Sequence, residues 1–361
     1  MRRWMLGVLG ALLLAPPVAA EPIEMGETFP KVPLLDPLEA AQRDYLGLSD
    51  DQPFTLDQIK GRVVLVEMLN VLCPHCQKQT APYNQLYKRL ESDSTTRGQV
   101  KMLGVAVGNT DEQIDDFVMI YNVLIPVVPD RRFGMHRAVR GGPTPFSIYV
   151  LRDVPGEVGV VAGTHLGQDH NIDTLFDYLK YLLESEAAEF ATLAPDTPPT
   201  QTILHPPQSD EEVAQLIKAS FAAQGEGLQD FRKLELESGR RVYSANTIRN
   251  GQREELFAEV ASRSAICDIC HNVHFFYVFD RTGLVLAFEP LHLTKYGNVE
   301  WDAMEVAYFT RRVVGKPLVG TWPFDPKVDA VTSATMTSAI IFDSLDQGRE
   351  LLGELRDRGL L

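Results

Sequence analysis

Val63-Val64-Leu65-Val66-Glu67-Met68-Leu69-Asn70-Val71-Leu72-Cys73-Pro74-His75-Cys76 decides how the N-terminal half of this chain folds. Val63 to Leu69 is an apolar, β-branched run, the pattern of a central strand buried on both faces. Cys73 follows at its end. From Cys76 to Leu90 the apolar or aromatic residues Tyr83, Leu86, Tyr87 and Leu90 fall at helical spacing. This arrangement puts Cys73 at a helix N-terminus, where backbone N–H groups and the helix dipole favour an anion. A charged His75 beside it favours the thiolate further. The thiolate is the attacking species in disulfide exchange, and Cys76, one turn along, can resolve the mixed disulfide.

Outward from this stretch, strand and helix signals alternate. Val100 to Val107 reads as a strand. Asp111 to Tyr121 reads as a helix with Asn109 or Thr110 as its cap. Phe146 to Leu151 reads as a strand, and Ile172 to Leu183 as a closing amphipathic helix. The alternation predicts an α/β unit over 21–185, with a largely parallel sheet and helices on both faces. A Pro-rich segment, 186–210, carries Pro195, Pro198, Pro199, Pro206 and Pro207 and reads as a linker. The remaining residues, 211–361, read as α+β. The expected order is a helix from Glu211 to Gln224 capped by Ser209, strands Phe231–Glu237 and Arg241–Ile248, and a hairpin of His274–Asp280 with Leu284–Phe288. A helix over Val299–Val313 and a long helix from Ala334 past Leu355 follow.

Residues 1–20, with Arg2 and Arg3 ahead of an apolar run and Val18-Ala19-Ala20 at its end, read as a cleaved export signal. The chain of 361 residues has a formal net charge of −15. That excess of carboxylates argues against a nucleic-acid partner, which would need clustered Lys and Arg. Export predicts a periplasmic or secreted protein and an oxidising compartment, where dithiol–disulfide exchange is possible. Cys73, Cys76, Cys267 and Cys270 are the four cysteines, in two C-x-x-C pairs. Two such pairs in a cysteine-poor chain point to redox, haem or metal chemistry.

Gly141-Gly142-Pro143-Thr144-Pro145 precedes the strand FSIYV. Taken with CPHC, it makes the N-terminal half resemble the thioredoxin superfamily, closest to its exported TlpA/ResA-like and redoxin branch. The resemblance implies a thioredoxin-like fold and a thiol–disulfide oxidoreductase acting on client protein thiols and disulfides. It also implies a cis-proline at Pro145, with Thr144, opposite Cys73 and Cys76. CPHC itself is similar to the pair of DsbA-type oxidases, and the direction of electron flow stays open.

Asp329-Ala330-Val331-Thr332-Ser333-Ala334-Thr335 leads into the C-terminal helix. Small and hydroxyl residues at a helix start suit a phosphate. The run is similar to the D-x-x-[ST]-[GS]-A-T motif of the flavin subunits of Rnf and Nqr complexes. That resemblance implies an FMN-binding domain, with FMN joined through its phosphate to Thr335 by a flavin transferase. Asp329, Thr332, Ser333 and Ala334 would surround that phosphate. Lys295 and Asn298 lie in a polar turn that could also meet the flavin.

Cys267-Asp268-Ile269-Cys270-His271 admits several readings. It matches the attachment signature of c-type haem, with His274, His292 or Met304 as a second axial ligand. It also reads as a dithiol trading electrons with Cys73/Cys76 or the flavin. A metal site completed by His271 and His274, or a structural bridge, are the others. The strand-like HFFYVFD that follows favours the dithiol. The expected function is therefore an exported oxidoreductase relaying electrons between FMN and a dithiol, with an electron donor or acceptor not fixed by sequence. The alternatives are a flavocytochrome-type carrier and a non-catalytic thioredoxin-fold assembly factor.

Overall fold

The computed structural model describes residues 22–361 apart from 36, 50, 155, 196–203, 250 and 268. The expected leader, Pro198, Pro199 and Asp268 lie outside the described residues. Along the first half run α1 (Ala40–Leu46), β1 (Val63–Leu69), α2 (Pro74–Ser92), β2 (Val100–Val107), α3 (Asp111–Tyr121), β3 (Val127–Asp130) and α4 (Gly134–Ala138). β4 (Phe146–Leu151), β5 (Val160–Leu166), α5 (Ile172–Glu184) and α6 (Ala187–Ala191) complete it.

The first sheet has the order β3-β2-β1-β4-β5. β1 pairs parallel with β2, and β2 with β3. β4 runs antiparallel to β1, and β5 to β4. The sheet is therefore mixed, where the alternating pattern had predicted a largely parallel one. Every residue of β1 is buried. Its Val63, Leu65 and Leu69 pack with Tyr83, Leu86 and Leu90 of α2, Phe117 of α3 and Leu179 of α5. Its Val64, Val66 and Met68 pack instead with Phe29, Leu46, Phe133 and Met135. The three long helices thus share one face rather than flanking the sheet on both.

The second half contains α7 (Asp210–Gln224), β6 (Glu226–Leu234), β7 (Arg241–Arg249), β8 (Gln252–Arg263), β9 (Val273–Asp280) and β10 (Val285–His292). The two-residue strands β11 (Thr294–Lys295) and β12 (Val299–Glu300) form a small hairpin. α8 (Ala303–Val313), α9 (Thr335–Asp346) and α10 (Gly348–Asp357) close the chain. β6 to β10 make an antiparallel meander in the order β10-β9-β8-β7-β6. The HFFYVFD run serves both faces. Phe276 and Val278 meet Val213, Ile217 and Phe221 of α7. Phe275, Tyr277 and Phe279 meet Phe309 of α8, Ile341 of α9 and Leu352 of α10.

Several boundaries differ from the sequence reading. β8 escaped it because its first third, Gln252-Arg253-Glu254-Glu255, is polar and exposed or half-buried, pairing with β7 but not with β9. The segment read as linker opens with α6, whose Ala187 and Phe190 are buried. The long C-terminal helix is broken at Gln347, where Gly348 packs so closely on Leu318 that a Cβ would lie 2.8 Å from Leu318 Cδ2. The helix expected from Val299 begins only at Ala303, because Asp302 caps it with bonds from the Met304 and Glu305 amides.

The halves are joined by a shared apolar cluster that includes Phe133, Met135 and Val139 together with Ile266, Phe275 and Trp322. Arg137 of α4 makes two hydrogen bonds of 2.8 and 2.9 Å to the buried Asp343 of α9, which also accepts from Arg263 at 2.8 Å. Among the described residues, no helix is long and apolar enough to cross a membrane.

Candidate active site: two cysteine pairs and an adjoining cavity

β1 delivers Cys73 to the start of α2. Cys73 is the N-cap residue and Pro74 occupies the first helical position, where its missing N–H costs nothing. Asn70 braces the approach by donating to Val107 O at 2.7 Å and accepting from Leu72 N at 3.0 Å. Asn109, read from sequence as a possible cap, instead accepts from Val71 N at 3.1 Å. Thr110 caps α3.

Thr144 and Pro145 stand opposite, joined by a cis peptide. Cys73 Sγ lies 3.4 Å from Thr144 O. The loop bearing them is seated on His136, which is buried and bonds Gly142 O through Nε2 at 2.9 Å. Gly141 permits this seat, since a Cβ there would lie 2.6 Å from the His136 ring. Burial lowers the His136 pKa to about 4, so the ring is neutral.

The second cysteine pair sits on the first. The turn between β8 and β9 lays Ile266 against Thr144, whose N–H and hydroxyl both donate to Ile266 O, at 2.5 and 2.8 Å. Thr144 and Cys267 form a parallel β-bridge. The Cys267 thiol reaches both Cys73 and Cys270, and Cys73 also reaches Cys76. The four sulfurs therefore form a chain, Cys76 to Cys73 to Cys267 to Cys270. All four are thiols in this structure. Cys73, Cys76 and Cys267 are buried, and Cys270 is half-buried.

Their chemical environments differ. Cys73 is held well below the ordinary thiol range, first by the Cys267 thiol, then by Cys76 and by the Cys76 and His75 amides. The contribution of His75 is thus through its backbone N–H. Cys76 is raised by burial and by the adjacent Cys73. Cys267 is raised by its hydrogen bonds with Cys270 and Cys73 and by burial.

Behind Cys76 lies a group the sequence reading missed. Glu67 is buried at the middle of β1, and accepts from Ser147 Oγ at 2.6 Å. Ser147 in turn pairs with Tyr83 OH at 2.6 Å. Burial pushes the Glu67 carboxyl up to about 8. Glu67, Cys76, Thr80 and Tyr83 line a cavity of about 20 Å³, enough for a single water. A lone carboxylate inside an apolar strand was the available signal.

On the far side of Cys267 opens a larger cavity, about 460 Å³. Leu72 and Pro74 from the first half line it, with Ile266, Cys267, Cys270, Val273 and Ile340 from the second. Ser333, Ala334 and Thr335 form part of its wall, as do Lys295 and Asn298. Asp329 and Thr332 are not among the lining residues. Asp329 accepts from Asp325 N–H at 3.0 Å. Ser333 has φ 61°, and α9 opens at Thr335 with no side-chain cap on its first amides. An apolar cavity of this size with a helix N-terminus and a Thr hydroxyl in its wall has room for a flavin mononucleotide.

His271 faces His292 at 3.3 Å, and His274 is buried and bonded to Ser262 Oγ at 2.9 Å. Among the described residues, no group of three or more His, Cys, Asp or Glu is arranged to hold a metal ion. Met304 is 80% exposed on α8. Trp301 and Trp322 are buried in the shared core.

The strand order, the dithiol at the start of α2 and Pro145 ahead of β4 give the first half a thioredoxin-like fold. No family model matches the chain, and no curated protein does. Among solved structures, the chain is similar to the thioredoxin domain of thiol-disulfide oxidoreductase BVU-2223 from Bacteroides vulgatus. Identity is 17% over 43% of this chain and 98% of that one, with a TM-score of 0.34. It is similar to a thiol:disulfide interchange protein from Bacteroides sp., at 16% identity over 45% of this chain and 92% of that one, TM-score 0.34. It is also similar to StoA from Bacillus subtilis, at 20% identity over 36% of this chain and 90% of that one, TM-score 0.29.

Proposed function

We propose that the protein is an exported thiol–disulfide oxidoreductase whose Cys73/Cys76 pair exchanges disulfides with its own Cys267/Cys270 pair, fed by FMN in the adjoining cavity. One observation carries the reading: Thr144 holds the Ile266 carbonyl with two hydrogen bonds while Cys267 rests against Cys73. An extended segment paired beside a dithiol is the arrangement of a bound client strand. Here the client is part of the same chain.

The shifted thiols favour one direction. A stabilised thiolate at Cys73 makes its pair the better electron acceptor and Cys73 the better leaving group. Starting from a Cys73–Cys76 disulfide, Cys267 attacks Cys73, the Cys73–Cys267 bond forms and Cys76 leaves. Glu67, protonated at neutral pH, supplies the proton to Cys76 across the small cavity. Cys270 then attacks Cys267, and Cys73 is released as the thiolate. Two electrons have moved from the second pair to the first. Cys73 is 0% exposed, so an external client reaches it only after the Cys267 segment withdraws.

Thr335, Ser333 and Ala334 would hold the flavin phosphate, with attachment at Thr335 by a flavin transferase. The flavin, when bound, links one-electron carriers to the two-electron chemistry of a dithiol. The burial of Cys267 against Cys73 supports the dithiol reading over thioether-linked haem, which would take both sulfurs of the pair. Denaturing mass measurement on protein from an exporting host tests the reading. The expected result is one FMN less one water per chain, lost in Thr335→Ala. A haem mass instead would overturn it.

A further inference from the structure

Cys267 and Cys270 both line the larger cavity, but Cys267 is 2% exposed under Thr144 and Cys73, whereas Cys270 is half-buried and open to it. The turn that carries them is gripped from the cavity side by one residue. Asn298 Nδ2 donates to Ile269 O at 2.8 Å, and Asn298 Oδ1 accepts from His271 N–H at 3.2 Å. Asn298 does this from a left-handed conformation, φ 58°, which Asn tolerates better than most side chains. It stands on the β11–β12 hairpin. That hairpin is tied to the wall around Thr335, since Tyr296 N–H donates to Ser333 O at 2.7 Å and Thr337 Oγ1 to Thr294 O at 2.8 Å.

We propose that the two sulfurs have separate roles, Cys267 exchanging with Cys73 and Cys270 meeting the electron carrier in the cavity, with Asn298 as the positioning residue that holds them apart. The assignment rests on the reading of the cavity as a flavin site. In net terms, starting from a Cys267–Cys270 disulfide, Cys270 Sγ takes a hydride equivalent from a reduced flavin and becomes a thiol. The S–S bond breaks, Cys267 leaves as the thiolate that next attacks Cys73, and the flavin ends oxidised.

Alkylation of the reduced full-length protein with iodoacetamide, followed by peptide mass analysis, tests this. Cys270 is expected to label first, and to label more slowly in protein carrying FMN at Thr335 than in flavin-free Thr335→Ala. Asn298→Gly keeps the backbone conformation and loses two hydrogen bonds, so the preference for Cys270 over Cys267 should fall about tenfold. Absence of FMN fluorescence from protein made in an exporting host that has the flavin transferase overturns the flavin reading itself. Bound FMN that leaves Cys270 labelling unchanged, or Cys267 labelling first, overturns the division of roles. An unchanged preference in Asn298→Gly removes Asn298 from the account.

Discussion

Cys73-Pro74-His75-Cys76 stands at the N-terminus of a 19-residue helix, whereas Cys267 and Cys270 stand between two antiparallel strands. The same spacing therefore meets opposite surroundings. Cys73 is lowered first by the Cys267 and Cys76 thiols and then by the Cys76 and His75 amides of the helix start; Cys267 is raised by the Cys270 and Cys73 thiols and by burial. That inequality is what favours the proposed direction of exchange. The spacing of a C-x-x-C pair sets which two sulfurs can bond, while the groups around them set how readily each sulfur ionises.

The largest expected effect comes from removing the sulfur at the centre of the chain of four. Cys73→Ser should reduce disulfide exchange with a model peptide disulfide to background and leave flavin content unchanged. Loss of flavin in that variant would break the picture of two separable centres. Next is the clamp between the halves. Asp343→Asn leaves Arg137 and Arg263 facing one another and should cost about 3 kcal/mol of unfolding free energy. Arg137→Gln, at a side chain 42% exposed, should cost about 1 kcal/mol or less. Both should speed alkylation of Cys267, because docking is what buries it. An unchanged rate would mean that the apolar interface alone holds the pairs together.

The proposed proton supply behind Cys76 sharpens the comparison, because Glu67 shares a small cavity with that thiol. Glu67 ionises at about 8 in the folded protein, well above the ordinary carboxyl range. Between those two values the folded chain holds a proton that the unfolded chain has lost. Stability from this group is therefore lost as pH rises toward 8. Glu67→Gln should flatten that fall in a urea titration series, and slow release of Cys76 in single-turnover exchange. A wild-type stability that does not fall over this range would remove Glu67 from the account. The smallest effect expected is at Thr144. Thr144→Val keeps the backbone N–H to Ile266 O and loses the hydroxyl, so exchange between the pairs should slow about fivefold.

The thioredoxin-like half was legible because its determinants are local: an unbroken apolar strand, a dithiol at its end, a proline before the next strand. β3 and β5 were not read, being short or partly exposed. Glu67 was passed over because a lone carboxylate in a strand can equally sit at an edge, and only the pairing of β1 between β2 and β4 puts it inside. Cys267 was recognised as a redox candidate, but its partner was not readable. Thr144 and Ile266 are 122 residues apart, and their contact is created by the packing of two sheets. The same holds for Asn298, whose side chain reaches 29 residues back to Ile269.

The central claim is that Cys267 is the internal client of Cys73, and one measurement meets it directly. In Cys76→Ser/Cys270→Ser, oxidised and digested without reduction, peptide mass analysis should find Cys73 joined to Cys267 within a single chain. Two free thiols, or a bond formed only between chains, would contradict it.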